Sequence, residues 1–255
     1  MRLSISGISL AAFTILIAGL AVSAAAQSTA PWSYQGKTGP VFWGKLDPAY
    51  QACVRGQQQS PVDLRGAKLN KALQPIEFHY IAGPVTLVND GRTVQVKVDP
   101  VSYIVVGGAR YELVGFEFHH PSEHTVKSKL SDMEVDLVHR SADGKMVILA
   151  VLMSELRGFP NATLATLWEH LPTARGKTEK ITDMVSAAGL LPADRGYWTY
   201  QGSELTPPCA EGVQWFVFEQ ELSISRDQYQ AFASLFKLNT RPLQNPHGRK
   251  IDADE

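Results

Sequence analysis

The chain has 255 residues, with 24 Lys and Arg against 25 Asp and Glu, a formal net charge of −1 at pH 7 and 44% hydrophobic residues. That balance leaves no basic excess to neutralise a phosphate backbone, so nucleic acid is excluded as an expected partner. In chain order, Arg2 gives a short positive start and Leu10 to Val22 an apolar run, followed by the small residues Ser23 to Ala26. This pattern predicts a signal peptide over 1–26 with cleavage before Gln27. The run is shorter than the roughly 20 apolar residues a spanning helix needs, so no membrane association is expected after cleavage. The destination is the periplasm or the exterior. Residues 27–255 show no linker, repeat or low-complexity stretch and read as one domain. The only two cysteines, Cys53 and Cys209, form an even pair. In an oxidising compartment such a pair suggests a disulfide, with two buried thiols as the alternative.

The periodicity is mainly two. Val85 to Val88 and Thr93 to Val98 flank Asn89-Asp90-Gly91, a turn sequence that predicts a hairpin. Strand-like runs rich in Val, Ile, Phe and Tyr follow at Tyr103 to Val106, Tyr111 to His120, Met133 to Arg140, Met146 to Met153 and Val213 to Glu219. Helical signals are fewer. Asn161 can cap a helix through His170, and Ser225 with Gln228 resembles a capping box opening a helix through Phe236. A mostly β domain with surface helices follows. Alternation places Leu113, Gly115, Glu117 and His119 on one strand face, with Val114, Phe116, Phe118 and His120 on the other. Glu134, Asp136 and Val138 share a face of the next long strand. If the two strands are neighbours, Glu117, His119 and Asp136 converge. Buried charges need pairing, a metal or protonation; the alternative is a wet face.

Beyond periodicity, the sequence elements resemble the α-class carbonic anhydrases over nearly all of 27–255. Trp32-Ser33-Tyr34-Gln35-Gly36, Gly39-Pro40 and Trp43-Gly44 are similar to that family's amino-terminal segment, Gln59-Ser60-Pro61-Val62 to its QSP(V/I) element, and Asn89-Asp90-Gly91 to its NxG turn. Phe116 to His119 with Ser122-Glu123-His124-Thr125-Val126 resembles the metal strand and its continuation. Tyr197 to Tyr200, Gly202-Ser203, Thr206-Pro207-Pro208-Cys209, Glu211-Gly212 and Trp215 resemble the cavity block, and Asn239, Arg241-Pro242 and Gly248-Arg249 the closing segment. The cysteines sit where secreted bacterial members form their bridge. The resemblance implies a large twisted, mainly antiparallel sheet with a conical cavity. It also implies reversible hydration of carbon dioxide to bicarbonate at a zinc ion held by three histidines, whose bound water has a pKa of about 7.

Carried over position by position, the family's ligand histidines fall on Glu117, His119 and Asp136. The gatekeeping Thr falls on Leu205, since Gly202 to Pro208 (GSELTPP) parallels a family GSLTTPP, and Thr206 follows it. Leu has no hydroxyl, so the relay from Glu123 is broken. Glu204 replaces an apolar residue of the carbon dioxide pocket. Arg92 takes the proton-shuttle position and stays protonated near pH 7. Glu134 matches the family's ligand-supporting position; Gln95, Gly115, Val138, Val151 and Trp215 match its cavity wall. His120 is expected to face away and His124 to be structural.

Two carboxylates and one imidazole formally cancel the charge of zinc, weakening its pull on bound water and its selection over harder ions. Zinc is therefore implied by the resemblance but opposed by the donors. Three functions stay open: a family member with little or no hydration whose cavity binds another small molecule, an acid/base enzyme using Glu117, Asp136 and Glu204 without metal, and an atypical but active zinc hydrase. For the carboxylates themselves, the bland reading is solvated charge or pairing with Arg92. Either a monomer or a homodimer is compatible with the sequence.

Overall fold

The structure is a computed structural model that describes residues 31–156 and 158–254; the predicted signal peptide lies outside them. Nine strands dominate: β1 (Gly83–Asn89), β2 (Val94–Val98), β3 (Tyr103–Val106), β4 (Ala109–His119), β5 (Met133–Arg140), β6 (Met146–Ser154), β7 (Thr178–Val185), β8 (Tyr197–Ser203) and β9 (Glu211–Phe218). Eight of them run in the order β8-β9-β6-β5-β4-β2-β1-β7 through one large sheet, extended beyond β8 by Asp252–Ala253 and Lys68–Leu69, with β3 pairing to β4. Pairing is mainly antiparallel, and β6 with β9 is parallel. The mostly β architecture expected from the pattern is the one observed.

β6 explains why the sheet can be covered on both sides. Its sequence MVILAVLMS is apolar throughout and buried from Val147 to Met153, as a central strand with two packed faces requires. Val147, Leu149, Val151 and Met153 join the larger core with Val135 and Leu137 of β5. Ile148, Ala150 and Leu152 join a second cluster with Trp215 and Val217. The larger core is closed by α1 (Ala162–Glu169) and α2 (Arg226–Ala233), which contribute Leu164, Leu167 and Phe232. Asn161 accepts from the Leu164 amide, and Ser225 with Gln228 forms the full capping box, so both starts fall where the cap residues predict. α2 stops at Ala233, before Phe236.

Two strands escape the pattern. β7 buries only Ile181 and Val185, four residues apart, because it is a sheet edge with an irregular register against β1. β8 reads as a motif block rather than as an alternating run. The expected faces of β4 also need correcting at one end. Its register shifts between Leu113 and Gly115, and the bulge turns Leu113 into the core with Phe116 and Phe118 while Val114 moves to the open side. Gly115 permits the close strand approach beside it: a Cβ there would lie 2.6 Å from the Val96 carbonyl oxygen. Cys53 and Cys209 are disulfide-bonded, with Cα atoms 5.0 Å apart, in a small cluster with Tyr34, Trp43 and Tyr50.

Candidate functional site

Sheet register assembles the site. Gln95, Glu117, Asp136 and Ala150 stand side by side across β2, β4, β5 and β6, and His119 stands beside Glu134 one pleat further along. Residues two apart share a face, so Glu117, His119 and Asp136 converge as neighbouring strands predict. His119 Nδ1 lies 3.0 Å from the Asn239 carbonyl. That nitrogen must donate, which aims Nε2 at the carboxylates, 3.5 Å from Asp136 Oδ2 and 3.8 Å from Glu117 Oε1. His119 Nε2 and both Asp136 oxygens are buried without a hydrogen-bond partner among the described residues. Gln95 Nε2 approaches Glu117 Oε2 at 3.4 Å.

Behind this trio lies Glu123. Its Oε2 accepts from the Arg241 amide at 2.9 Å. Oε1 has no hydrogen-bond partner among the described residues, although it sits 3.3 Å from His119 Nδ1. Burial lifts the Glu123 carboxyl to about 8 against the opposing pull of His119. Burial, then the charge of Glu134, raises Asp136 well above the usual carboxylate range. For His119, burial works against the imidazolium, but Glu117, Glu123 and Asp136 outweigh it and hold its pKa well above normal. Glu134 goes the other way: its burial is overcome by His124, whose Nδ1 is 2.7 Å from Glu134 Oε1 and whose amide donates to Oε2. His124 Nε2 meets Tyr200 Oη, which donates to Ser60 Oγ. This network fixes the wall, and His124 is structural as expected. His120 points elsewhere, with Nδ1 3.2 Å from the Asp132 carbonyl and its ring against Tyr229.

Glu117 and Asp136 open into a cavity of about 560 Å³ whose lining also includes Gln95, Gly115, Val138, Glu204, Leu205 and Thr206. Leu205 is 4% exposed. Burial also raises the Glu204 carboxyl, while its amide donates to the Ala210 carbonyl. Two expected wall positions move. Val151 belongs to the opposite face of β6, because Asp136 pairs with Ala150 and Val138 with Ile148; Ile148 lines the cavity in its place. Trp215 is fully buried behind the wall, against His124 and Tyr200, with its indole donating to the Ser203 carbonyl. Arg92 pairs with Asp90 at 3.0 Å and stacks over Trp32, so it does not neutralise the carboxylate trio. Sequence reasoning missed Ile148, Lys97 and Arg140 on the lining, and Tyr34. Burial and the nearby Glu123, Glu117 and Asp90 hold the Tyr34 phenol well above its usual pKa. Lys97 was findable, two residues beyond Gln95 on the same strand face.

A family model described as eukaryotic-type carbonic anhydrase matches residues 38–255. The chain belongs to the carbonic anhydrase family. A carbonic anhydrase of Klebsiella pneumoniae is 38% identical over 223 residues, covering 86% of this chain and 89% of that one. A Nostoc carbonic anhydrase is 37% identical over 234 residues, covering 90% and 88%. Among solved structures, the α-carbonic anhydrase of Thermovibrio ammonificans in complex with the inhibitor sulfanilamide superposes with a TM-score of 0.85 at 36% identity, covering 88% of this chain and all of that one. Dioscorin complexed with ascorbate superposes with a TM-score of 0.82 at 28% identity, covering 88% and 97%. The expected family and fold are thus those found.

Proposed function

We propose that this chain is an exported carbonic anhydrase family member that hydrates carbon dioxide little or not at all and uses its cavity to bind another small molecule. One observation carries the reading: at the cavity floor the His119 imidazole faces Glu117 and Asp136, while Glu123 Oε1 has no hydrogen-bond partner among the described residues. In this reading Glu117, His119 and Asp136 occupy the family's zinc-ligand positions and Leu205 its gatekeeper. The donor set does not fit zinc as the family uses it. Two carboxylates cancel the formal charge of the ion, so coordinated water keeps a high pKa, and the harder oxygens do not select zinc. Dioscorin, which shares the fold, is complexed with ascorbate, which supports the idea of an organic ligand on this scaffold. The disulfide supports export, since such bonds persist in oxidising compartments.

The test is elemental analysis of protein recovered from the periplasm, combined with stopped-flow hydration of carbon dioxide and sulfonamide titration. Substoichiometric zinc, hydration at the buffer background and no sulfonamide binding are expected. Stoichiometric zinc with rapid turnover overturns the reading in favour of an atypical hydrase. A second reading, acid/base catalysis by Glu117, Asp136 and Glu204, draws on one observation: these carboxyls line one cavity, and burial holds Asp136 and Glu204 above the usual carboxylate range. A bell-shaped pH profile on an activated ester, lost in Glu117→Gln, is its required signature; a rate no greater than buffer removes it.

A further inference from the structure

The cavity lining carries both signs of charge, with acid at the floor and two cations farther along its strands. Around the imidazole of His119 the floor gathers the carboxyls of Glu117 and Asp136, with Glu123 behind them and Glu204 on the adjoining lining. Glu134, behind them, is already matched by His124. His119 stands between Glu117 and Asp136, and Arg241 acts on Glu123 from behind, so the acid groups that face the open cavity are Glu117 and Asp136. Asp136 is the decisive residue. It is 1% exposed, it lines the cavity, and neither of its oxygens has a hydrogen-bond partner among the described residues. A buried carboxyl in that state is expensive unless a donor reaches it. The protein side is already occupied by His119 and Glu117, which leaves the cavity side.

One row along from the floor the lining carries Val138 and Ile148, with Lys97 in that same row across Gly115, and Arg140 stands a further two residues along β5; Leu205 and Pro207 also line the cavity. Lys97 follows Gln95 by two residues on β2, and Arg140 follows Asp136 by four on β5. At about 3.3 Å per residue, their backbones lie roughly 7 and 13 Å from the carboxylate row. An acid floor, an apolar wall and two cations farther along the strands describe the complement of one kind of molecule. We infer that the cavity binds a small zwitterion, an ω-amino acid whose ammonium sits on Asp136 and Glu117 and whose carboxylate reaches Lys97 and Arg140. An ammonium brings three N–H donors, enough for both Asp136 oxygens and one of Glu117. The methylene chain covers Val138 and Ile148. A bare cation would satisfy the floor and leave the wall, Lys97 and Arg140 unused. The cavity volume of about 560 Å³ is within the range of small-ligand sites.

This inference rests on the cavity-binding reading above and names its ligand class. Isothermal titration of the mature protein with 6-aminohexanoate, hexylamine and hexanoate tests it, with Zn²⁺ and Mn²⁺ as parallel titrants. The zwitterion is expected to bind at least tenfold more tightly than either half-molecule. Asp136→Asn should weaken both 6-aminohexanoate and hexylamine tenfold or more, whereas Arg140→Ala should weaken 6-aminohexanoate severalfold and leave hexylamine unchanged. Should Asp136→Asn fail to fold, Glu117→Gln, at a more open position, carries the same expectation. Absence of amine binding, or equal binding by the Asp136 and Glu117 variants, overturns the inference. Binding of a divalent ion without any amine does so too. If hydration stays at background while no amine binds, only the zwitterion falls; rapid zinc-dependent hydration overturns both readings.

Discussion

Glu123 shows how far one side chain can alter a site. Its carboxyl keeps the Arg241 amide at 2.9 Å, but the other oxygen has no hydrogen-bond partner among the described residues, and burial has lifted its pKa to about 8. Restoring the missing chemistry is a test of the positional reading. The triple variant Glu117→His, Asp136→His, Leu205→Thr should bind one zinc ion and raise carbon dioxide hydration at least a hundredfold over the parent, measured by elemental analysis and stopped flow. A folded variant that binds no zinc would show that these three positions are not the ligand and gatekeeper sites. The convergence of Glu117, His119 and Asp136 was legible because polar residues interrupt two alternating strands and mark the face they share. Val151 was misplaced for the opposite reason. β6 is apolar on both faces, so no polar residue marks the side that Ile148 takes, and only register against Asp136 and Val138 decides it.

Among the elements, β5 carries the site on one face and a second buried histidine, His139, near its end. His139 Nδ1 donates to the Leu137 carbonyl at 2.9 Å, so its Nε2 must accept from Tyr80 Oη at 2.8 Å. Protonation at Nε2 would force Tyr80 Oη to accept where it now donates. Burial accordingly drops the His139 pKa to about 3 from an ordinary 6.5, in spite of backbone hydrogen bonds that favour the charged ring. A histidine with a depressed folded pKa binds more protons when unfolded. Its stability contribution is complete above pH 6.5 and is lost as the pH falls towards 3. At about 1.4 kcal/mol per tenfold difference in proton affinity, the loss at pH 5 is about 2 kcal/mol. Urea unfolding of His139→Gln should give a lower stability at pH 7.5, but a fall between pH 7.5 and pH 5 smaller than the parent's by about that amount. Equal slopes in the two proteins would exclude His139 as the cause. Elements with buried alternation were legible to within a residue or two, as were helix starts with polar caps. β7 was not, since an edge strand that buries only Ile181 and Val185 reads like a loop, and the β4 bulge was hidden because Gly115 leaves no side chain to break the alternation.

At the scale of the whole molecule, the Cys53–Cys209 bridge joins positions 156 residues apart and ties the amino-terminal aromatic cluster to the loop that carries Glu204, Leu205 and Thr206. Neighbouring groups use its backbone: Arg241 Nη2 donates to the Cys53 carbonyl at 3.0 Å and Gln59 Nε2 to the Cys209 carbonyl at 3.1 Å. Arg241 also holds Glu123 through its amide, so the cross-link, the rim loop and the cavity floor form one connected unit. Closing so long a loop removes freedom from the unfolded chain, and the chain-entropy treatment sets an upper figure of about 5 kcal/mol. The double variant Cys53→Ser, Cys209→Ser should therefore lose about 2 to 5 kcal/mol in guanidinium unfolding, and the parent should lose a similar amount in reductant. Hydrogen exchange locates the effect: amides of 32–56 and 203–212 should lose protection first, while β5 and β6, enclosed by two packed faces, should keep theirs until global unfolding. Uniform loss of protection across the sheet would show that the bridge acts on the unfolded chain alone and has no local role in holding the cavity rim. Unchanged stability after reduction would remove both roles.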